Sequence, residues 1–380
     1  MEMFKAGGKV LIGKSKLKEQ LSIYNKAFIV CDPFIAETGK TEYVTSVLDE
    51  LNIPYVVFAK ITPDPSVEIV TEGISILADF GADVAIGFGG GSAIDACKAM
   101  IFFARHQNLT ESMDFIAIPT TSGTGSEVTD FAVITDKEKG IKYPIIDESI
   151  APNVAVLDAE LTVTVPPAIT AMTGMDVVTH AIEALVSTNA TDFSDAAAEK
   201  SIKLVRANLL TAYNEPSNME ARQAMHNASC LAGIAFNNAG LGLNHGMAHA
   251  LGGKFHIPHG KANALLLPYV MGYNAGCFDS LNDNAKKYAR IARLLCVDSS
   301  SIRQSSFNLI RAVKTFIKKL GLPSTIAECG ISEEEFREAL DAMAEAAYND
   351  KCTATNPRTP SVEEIKSLYL HAYYGNAQKK

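Results

Sequence analysis

Apolar positions recur with two different periods along the chain. In the first part, short β-prone runs alternate with helix-like stretches. Residues 27–31 (AFIVC) predict a strand, followed by Asp32 and Pro33, a favourable helix N-cap and first-turn pair. Residues 55–59 (YVVFA) predict a second strand, and 67–80 an amphipathic helix. Residues 84–88 (VAIGF) predict a third strand, ending in Gly89, Gly90, Gly91 and Ser92, with helical composition over 93–103. Residues 115–119 (FIAIP) run into the polar loop TTSGTGSE at 120–127, and 131–135 and 154–157 are further strand candidates. Such alternation predicts a mostly parallel sheet covered on both faces. After Pro166 and Pro167 the period becomes helical, over 172–187, 196–213 and 221–236. Residues 237–243 (NNAGLGL) break the pattern. From 282 onward amphipathic helices return, with a loop at 354–359. The expected organisation is an α/β domain over 1–164 and an all-α domain over 165–380, with no internal repeat or flexible linker.

Size and composition narrow the function. With 380 residues the chain can bury two substantial cores. No uninterrupted apolar run reaches the roughly 18 to 20 residues that cross a bilayer. The opening MEMFKAGGKV has no apolar h-region, so the expectation is a cytoplasmic protein with no membrane partner. A formal net charge of −9, without a Lys/Arg block, argues against a nucleic-acid partner. Seven scattered cysteines without a C-x-x-C pair read as reduced thiols.

The densest chemistry lies at 244–261, NHGMAHALGGKFHIPHGK. Four of the eight histidines, His245, His249, His256 and His259, fall there. Upstream, Asp176 and His180 are four apart, as are His245 and His249, so each pair projects from one helix face. A single such histidine is more often a packed or surface residue. Several imidazoles in Gly- and Ala-rich surroundings, together with an oxygen donor, point instead to a divalent transition-metal site. A metalloprotease is disfavoured, because Gly246 stands where that chemistry needs a glutamate base. His259 follows Pro258 and precedes Gly260, so it is expected at a helix start.

Gly89 to Ser92 joins a strand to a helix, where bare backbone and free N–H groups can approach a phosphate. Alone, it would read as a tight turn; beside the hydroxyl-rich 120–127 loop it reads as a pyrophosphate cradle. It is not a G-x-G-x-x-G fingerprint. Asp95 is expected in the first helical turn, favourable for the dipole. Asp32 has two competing readings, a helix cap or an acceptor for an adenosine ribose. The second would favour NAD over NADP.

These segments resemble the iron-containing alcohol dehydrogenases, whose fold is shared with glycerol dehydrogenase and dehydroquinate synthase. The matching stretches are GFGGGSAIDACKAM (87–100), IPTTSGTGSEVT (118–129), GMDVVTHAIEAL (174–185), GLNHGMAHALGGKFHIPHGKANALLLP (242–268) and TNPRTP (355–360). The resemblance implies metal ligands at Asp176, His180, His245 and His259, and a histidine facing the nicotinamide at His249. It leaves His256 without a role. It implies NAD(H) contacts at Asp32, Gly89, Gly90, Gly91, Ser92, Thr120, Thr121, Lys142, Leu161 and Thr164, although Lys142 also reads as an ordinary surface lysine. Two departures are a short N-terminus, which would trim the first strands, and Ala250 where several members have proline.

The implied activity is hydride transfer between NAD(H) and a small primary alcohol or aldehyde, such as propionaldehyde to 1-propanol. The metal would act as Lewis acid and His249 would pass the alcohol proton to solvent. Fe(II) is the expected ion, with Zn(II), Co(II) or Mn(II) equally compatible with the donors. The His stretch is nearest to propanol and ethanol dehydrogenases of bacterial microcompartments, and a homodimer or larger assembly is expected. The alternatives are a glycerol or diol dehydrogenase, a dehydroquinate synthase-like lyase, or a non-catalytic nucleotide-binding protein. The lyase would need a more basic pocket than Lys254 and Lys261 provide.

Overall fold

The computed structural model describes residues 3–110, 113–138, 141–278 and 280–375. By its internal contacts the chain divides into Lys5–Thr164 and a second unit formed by Met1–Phe4 with Val165–Lys380.

The first unit contains β1 (Lys9–Ile12), α1 (Leu17–Leu21), β2 (Ala27–Val30), α2 (Pro33–Glu37), α3 (Glu42–Glu50), β3 (Tyr55–Phe58), α4 (Val67–Phe80), β4 (Val84–Gly89), α5 (Gly91–His106), β5 (Asp114–Pro119), β6 (Phe131–Asp136), β7 (Ile141–Ile146) and β8 (Val154–Leu157). Six strands form a parallel sheet in the order β1-β8-β5-β4-β2-β3. Alternate residues face two apolar layers, which is why the strands read as continuous hydrophobic runs. Phe28, Val30, Ala85, Phe115 and Ala117 pack with Ile74, Leu77, Ile94 and Met100 of α4 and α5. Ala27, Ile29, Ile86, Phe88 and Ile116 pack with Leu17, Leu21, Val44 and Leu48 of α1 and α3.

Three expectations are corrected here. β1 is present and pairs in parallel with β8, so the sheet edge is not trimmed. Its four residues, KVLI, lie between glycine-containing segments and carry too little pattern to read as a strand. The run 131–135 is a strand, as expected, but it lies outside the parallel sheet. It forms an antiparallel hairpin with β7, whose Pro144 opposes Val133, a position open to a residue that cannot donate a ladder hydrogen bond. Asp95 does not serve the helix dipole. It is buried and accepts from Ser126 Oγ at 2.6 Å and from the Val133 amide at 3.1 Å, fastening α5 to the loop and hairpin beyond it.

Lys98, one turn further on, completes that fastening. Its ammonium is fully buried and donates to Ser126 Oγ, Thr129 Oγ1 and the Phe131 carbonyl at 2.9–3.0 Å. Burial pulls it down to about 8, against the opposing pull of Asp95, Glu127 and Asp130.

The second unit is helical: α6 (Pro167–Val186), α7 (Asp192–Asn214), α8 (Met219–Ala239), α9 (Leu243–Phe255), α10 (His259–Asn274), α11 (Ala285–Leu294), α12 (Ile302–Lys319), α13 (Glu333–Asn349) and α14 (Val362–Tyr374). Its helix starts follow local chemistry. Capping boxes at Thr191/Ser194, Ser332/Glu335 and Ser361/Glu364 begin α7, α13 and α14. α6 starts at Pro167, five residues before the apolar period becomes visible, because proline is well suited to a first turn. By length and composition α6 could cross a bilayer, with a mean hydropathy of 1.2. Its apolar window is 83% buried, and it carries Asp176, His180 and Glu183.

Replacing Lys98 with Met is expected to lower the unfolding free energy by about 3 kcal/mol, since it removes the cation among buried carboxyls and orphans three acceptors. Urea unfolding followed by circular dichroism checks this. An unchanged midpoint would mean that the fastening adds nothing.

Candidate metal centre and nucleotide loops

Three helices of the second unit build the metal centre. On α6, Asp176, His180 and Glu183 stand at i, i+4 and i+7 and share one buried face. α9 presents His245 and His249, and α10 presents His259 and Asn263, each pair four apart. One donor atom from each of Asp176, His180, His245 and His259 falls within 4.8 Å of the others. His259 Nε2 and His245 Nε2 lie 3.5 and 3.9 Å from Asp176 Oδ1, and His180 Nε2 lies 4.0 Å from Asp176 Oδ2. Four donors about 2.1 Å from a common ion stand about 3.4 Å apart in a tetrahedron. The spacing and the borderline-hard N/O chemistry therefore fit a divalent first-row cation.

His245 is kept in the form a metal needs. Burial, reinforced by the charges of His180, His259 and His249, holds His245 well below the usual imidazole range, so it stays neutral. Its ring lies against that of His180, with centroids 4.8 Å apart. Its Nδ1 is hydrogen-bonded to Glu183 Oε2. Burial pushes the Glu183 carboxyl up to about 8, while the backbone amides of Asn244, His245 and Gly242 work against that shift. Glu183 Oε1 accepts the Asn244 amide at 2.8 Å, so one carboxyl both caps α9 and aims His245. Asn263 is fully buried, and its Nδ2 contacts Asp176 Oδ1 at 2.7 Å, His245 Nε2 at 3.0 Å and His259 Nε2 at 3.1 Å. The donor at Nε2 places the His245 proton on Nδ1, from which it is donated to Glu183.

The close approach of α10 to α6 needs Gly260, where an added Cβ would collide with the Met172 carbonyl oxygen. Glu183 and Asn263 went unread in the sequence, although each sits at helical spacing from a ligand.

The remaining histidines part company. The His249 side chain is 39% exposed, against 1% for His245, and its Nδ1 pairs with Asp350 Oδ2 at 2.8 Å. Its ring stacks on His259, with centroids 5.4 Å apart. His249, Asp350 and Cys352 form a second group of closely spaced donors. Burial holds the Cys352 thiol far above its usual range, which makes it a poor ligand. His256 is exposed in the left-handed region (φ 55°), where it terminates α9 outside both groups.

In the first unit, the sheet order reverses between β2 and β4. β2 leads outward to β3, and β4 leads the other way to β5. Ligands of open α/β sheets bind at such a switch point. Asp32 ends β2 there and the glycine turn ends β4. Asp32 Oδ1 caps α2 by accepting the Ile35 amide at 2.9 Å, while Oδ2 faces Gly89, 3.4 Å from where a Cβ would stand. Its two oxygens thus serve different neighbours, and capping leaves one available to a ribose.

Gly89 has φ 154° and abuts Ala93, and a Cβ on Gly91 would meet Thr124 Cγ2 at 2.7 Å. Thr120 donates its amide to the Gly89 carbonyl at 2.9 Å, and Thr121 Oγ1 lies 3.5 Å from the open side of Gly90. Ser92 lies in the first turn of α5, so Asp32, Gly89 to Ser92, Thr120 and Thr121 form one neighbourhood.

The other proposed contacts have different surroundings. Leu161 is buried in the apolar layer with Phe88 and Ile35. Thr164 accepts from Lys40 Nζ at 2.5 Å. Lys142 is on the hairpin, paired with Asp64 at 2.5 Å and exposed, as an ordinary surface lysine would be.

A parallel sheet with a glycine turn at its switch point, and a helical unit with an Asp/His centre, mark the class as a metal-dependent, nucleotide-linked enzyme. Residues 8–159 match the family described as iron-containing alcohol dehydrogenase, and residues 170–373 match the Fe-containing alcohol dehydrogenase family, C-terminal. The chain belongs to the iron-containing alcohol dehydrogenase family. It is 43% identical over 371 residues to the 1-propanol dehydrogenase PduQ of Citrobacter freundii, covering 97% of this chain and 99% of that one. It is 40% identical to an NADPH-dependent butanol dehydrogenase of Clostridium saccharobutylicum, covering 96% of each. The crystal structure of a 1,3-propanediol oxidoreductase superposes with a TM-score of 0.91 at 32% identity, covering 98% of this chain and all of that one.

Glu183→Gln is expected to weaken divalent-metal binding by about 10- to 100-fold, because His245 loses its anionic partner. Because both Glu183 oxygens accept hydrogen bonds and glutamine offers one, the thermal midpoint should fall. Competition titration against a chelating indicator and calorimetry read the two effects separately, and unchanged metal affinity would remove Glu183 from the centre. Gly260→Ala is expected to cost about 1–3 kcal/mol of stability through overpacking against a backbone that cannot yield. Chemical denaturation checks it.

Proposed function

We propose that the chain is an Fe(II)-dependent, NAD(H)-linked dehydrogenase of small primary alcohols, with propionaldehyde and 1-propanol as the leading pair. The observation that carries this reading is the convergence of Asp176, His180, His245 and His259 within 4.8 Å in a chain so closely similar to a 1-propanol dehydrogenase. A divalent cation held by these residues supplies Lewis acidity toward the substrate oxygen. NAD(H) supplies or takes the hydride.

The chain's own residues do the rest. Burial keeps His245 neutral, and Glu183 keeps it aimed. Asp350 engages His249 Nδ1, which leaves Nε2 to exchange a proton between the alcohol and solvent. Asp32, Gly89 to Ser92, Thr120 and Thr121 receive the dinucleotide at the switch point, with Lys142, Leu161 and Thr164 as further contacts. The available Asp32 oxygen supports NAD, since a carboxylate there repels a 2′-phosphate. The division after Thr164 separates the nucleotide-binding unit, Lys5–Thr164, from the catalytic unit that resumes at Val165, with the segment before Lys5 grouped with the latter rather than with the former as expected.

The likeness to 1,3-propanediol oxidoreductase supports a second reading, with a short diol or hydroxyaldehyde as substrate. The resemblance of the His stretch to the microcompartment-linked subgroup supports a cytoplasmic enzyme associated with such a compartment and working as a dimer or larger assembly. Size-exclusion chromatography and co-sedimentation with purified shells test those two points.

Anaerobically purified protein, stripped by chelation, should regain NADH-dependent reduction of propionaldehyde on addition of Fe(II). No turnover with aldehydes or diols under any divalent metal would overturn the reading, and preference for NADPH would reduce Asp32 to a helix cap. His249→Ala should lower turnover about 100-fold with metal content unchanged. Equal loss of both would make His249 a ligand instead.

A further inference from the structure

We infer that Asn263 sets the metal affinity of this centre by competing with the cation for its donor atoms. The inference rests on the ligand assignment proposed above. Asn263 lies four residues after His259 on α10, wholly buried. Its Nδ2 reaches Asp176 Oδ1, His245 Nε2 and His259 Nε2, atoms of three of the four proposed ligands, at 2.7, 3.0 and 3.1 Å.

The orientation of the amide follows from its neighbours. Asn244 Nδ2 donates to the Asn263 backbone carbonyl at 3.2 Å, which fixes the Asn244 amide, and to Asn263 Oδ1 at 3.0 Å. Nδ2 is therefore the atom turned toward the ligands. Against a carboxylate oxygen at 2.7 Å, only a donor is stable.

A lone pair directed at an N–H cannot also be directed at a cation. Asn263 offers two N–H groups to three acceptors, and His245 and His259 leave it when their Nε2 atoms bind metal. Only the bond to Asp176 survives binding. The donors do not depend on Asn263 for their placement. His245 is held by Glu183 and by stacking on His180, His259 stacks on His249, and Asp176 is on a buried helix. Removing the amide therefore takes more from the metal-free chain than from the loaded one, and by linkage the affinity rises.

The test is Asn263→Leu in the full chain, stripped by chelation and titrated with Zn(II) against a competing indicator. Thermal midpoints are measured with and without the ion. Affinity should tighten by about tenfold, since the buried Asp176 Oδ1 and His245 Nε2 lose this donor in the metal-free chain and regain a partner in the cation. The metal-free midpoint should fall further than the loaded one. Unchanged or weaker affinity would overturn the inference, weaker affinity marking the side chain as a support or a ligand through Oδ1. Should the leucine variant not fold, Asn263→Ser leaves room for a water donor, and an increase of the same sign but smaller size is expected. Wild type and Asp176→Asn serve as controls. A wild type that takes up no ion, or an Asp176→Asn chain that binds as well, would defeat the ligand assignment itself, separately from the role of Asn263.

Discussion

Asp176, Glu183, His180 and His245 are all held inside the apolar interior of the helical unit, where an uncompensated charge costs several kcal/mol. Counted as carboxylates, Asp176 and Glu183 would place a formal charge of −2 there; burial pushes Glu183 up to about 8, and a divalent cation beside it would favour the ionised form. A divalent cation balances that sum. The geometry answers the same requirement: donor atoms from three helices meet only if α10 comes against α6 without a Cβ at Gly260, and if the amides at the start of α9 close on Glu183. Helix packing, capping and ligand chemistry in this unit are thus one constraint seen at three scales.

The first unit depends on a comparable economy of backbone. At the switch point, three glycines let the turn after β4 close on Ala93, Thr121 and Thr124, and Asp32 divides its two oxygens between a cap and the turn. Behind this surface, Asp95 and Lys98 fasten the 120–127 loop to α5 through Ser126, so a flexible-looking run of Ser, Thr and Gly has a buried ionic anchor. The shape of the 120–127 loop is set by these buried side chains behind it.

How far the sequence could be read follows from the range of the interactions. The candidate ligands were legible because i,i+4 spacing is local, and five of the six sheet strands were legible as plain apolar runs. Glu183 was within reach, three residues past His180 on the same stripe, but its apolar flanks gave no sign that it caps another helix. Asn263 was equally close to His259, and an asparagine in ANALLLP looks like a helix filler. Asp350, 101 positions from His249, left no trace at all. The strands missed or misplaced, β1, β6 and β7, are those with the least periodic signal or the most dependence on distant pairing.

The most direct test of the metal assignment is X-ray absorption of the Fe(II)- or Co(II)-loaded protein. If Asp176, His180, His245 and His259 are the ligands, the first shell contains only nitrogen and oxygen, with imidazole scattering from three rings. A sulfur scatterer at about 2.3 Å would place the ion in the neighbouring group of His249, Asp350 and Cys352 and contradict the account at its centre.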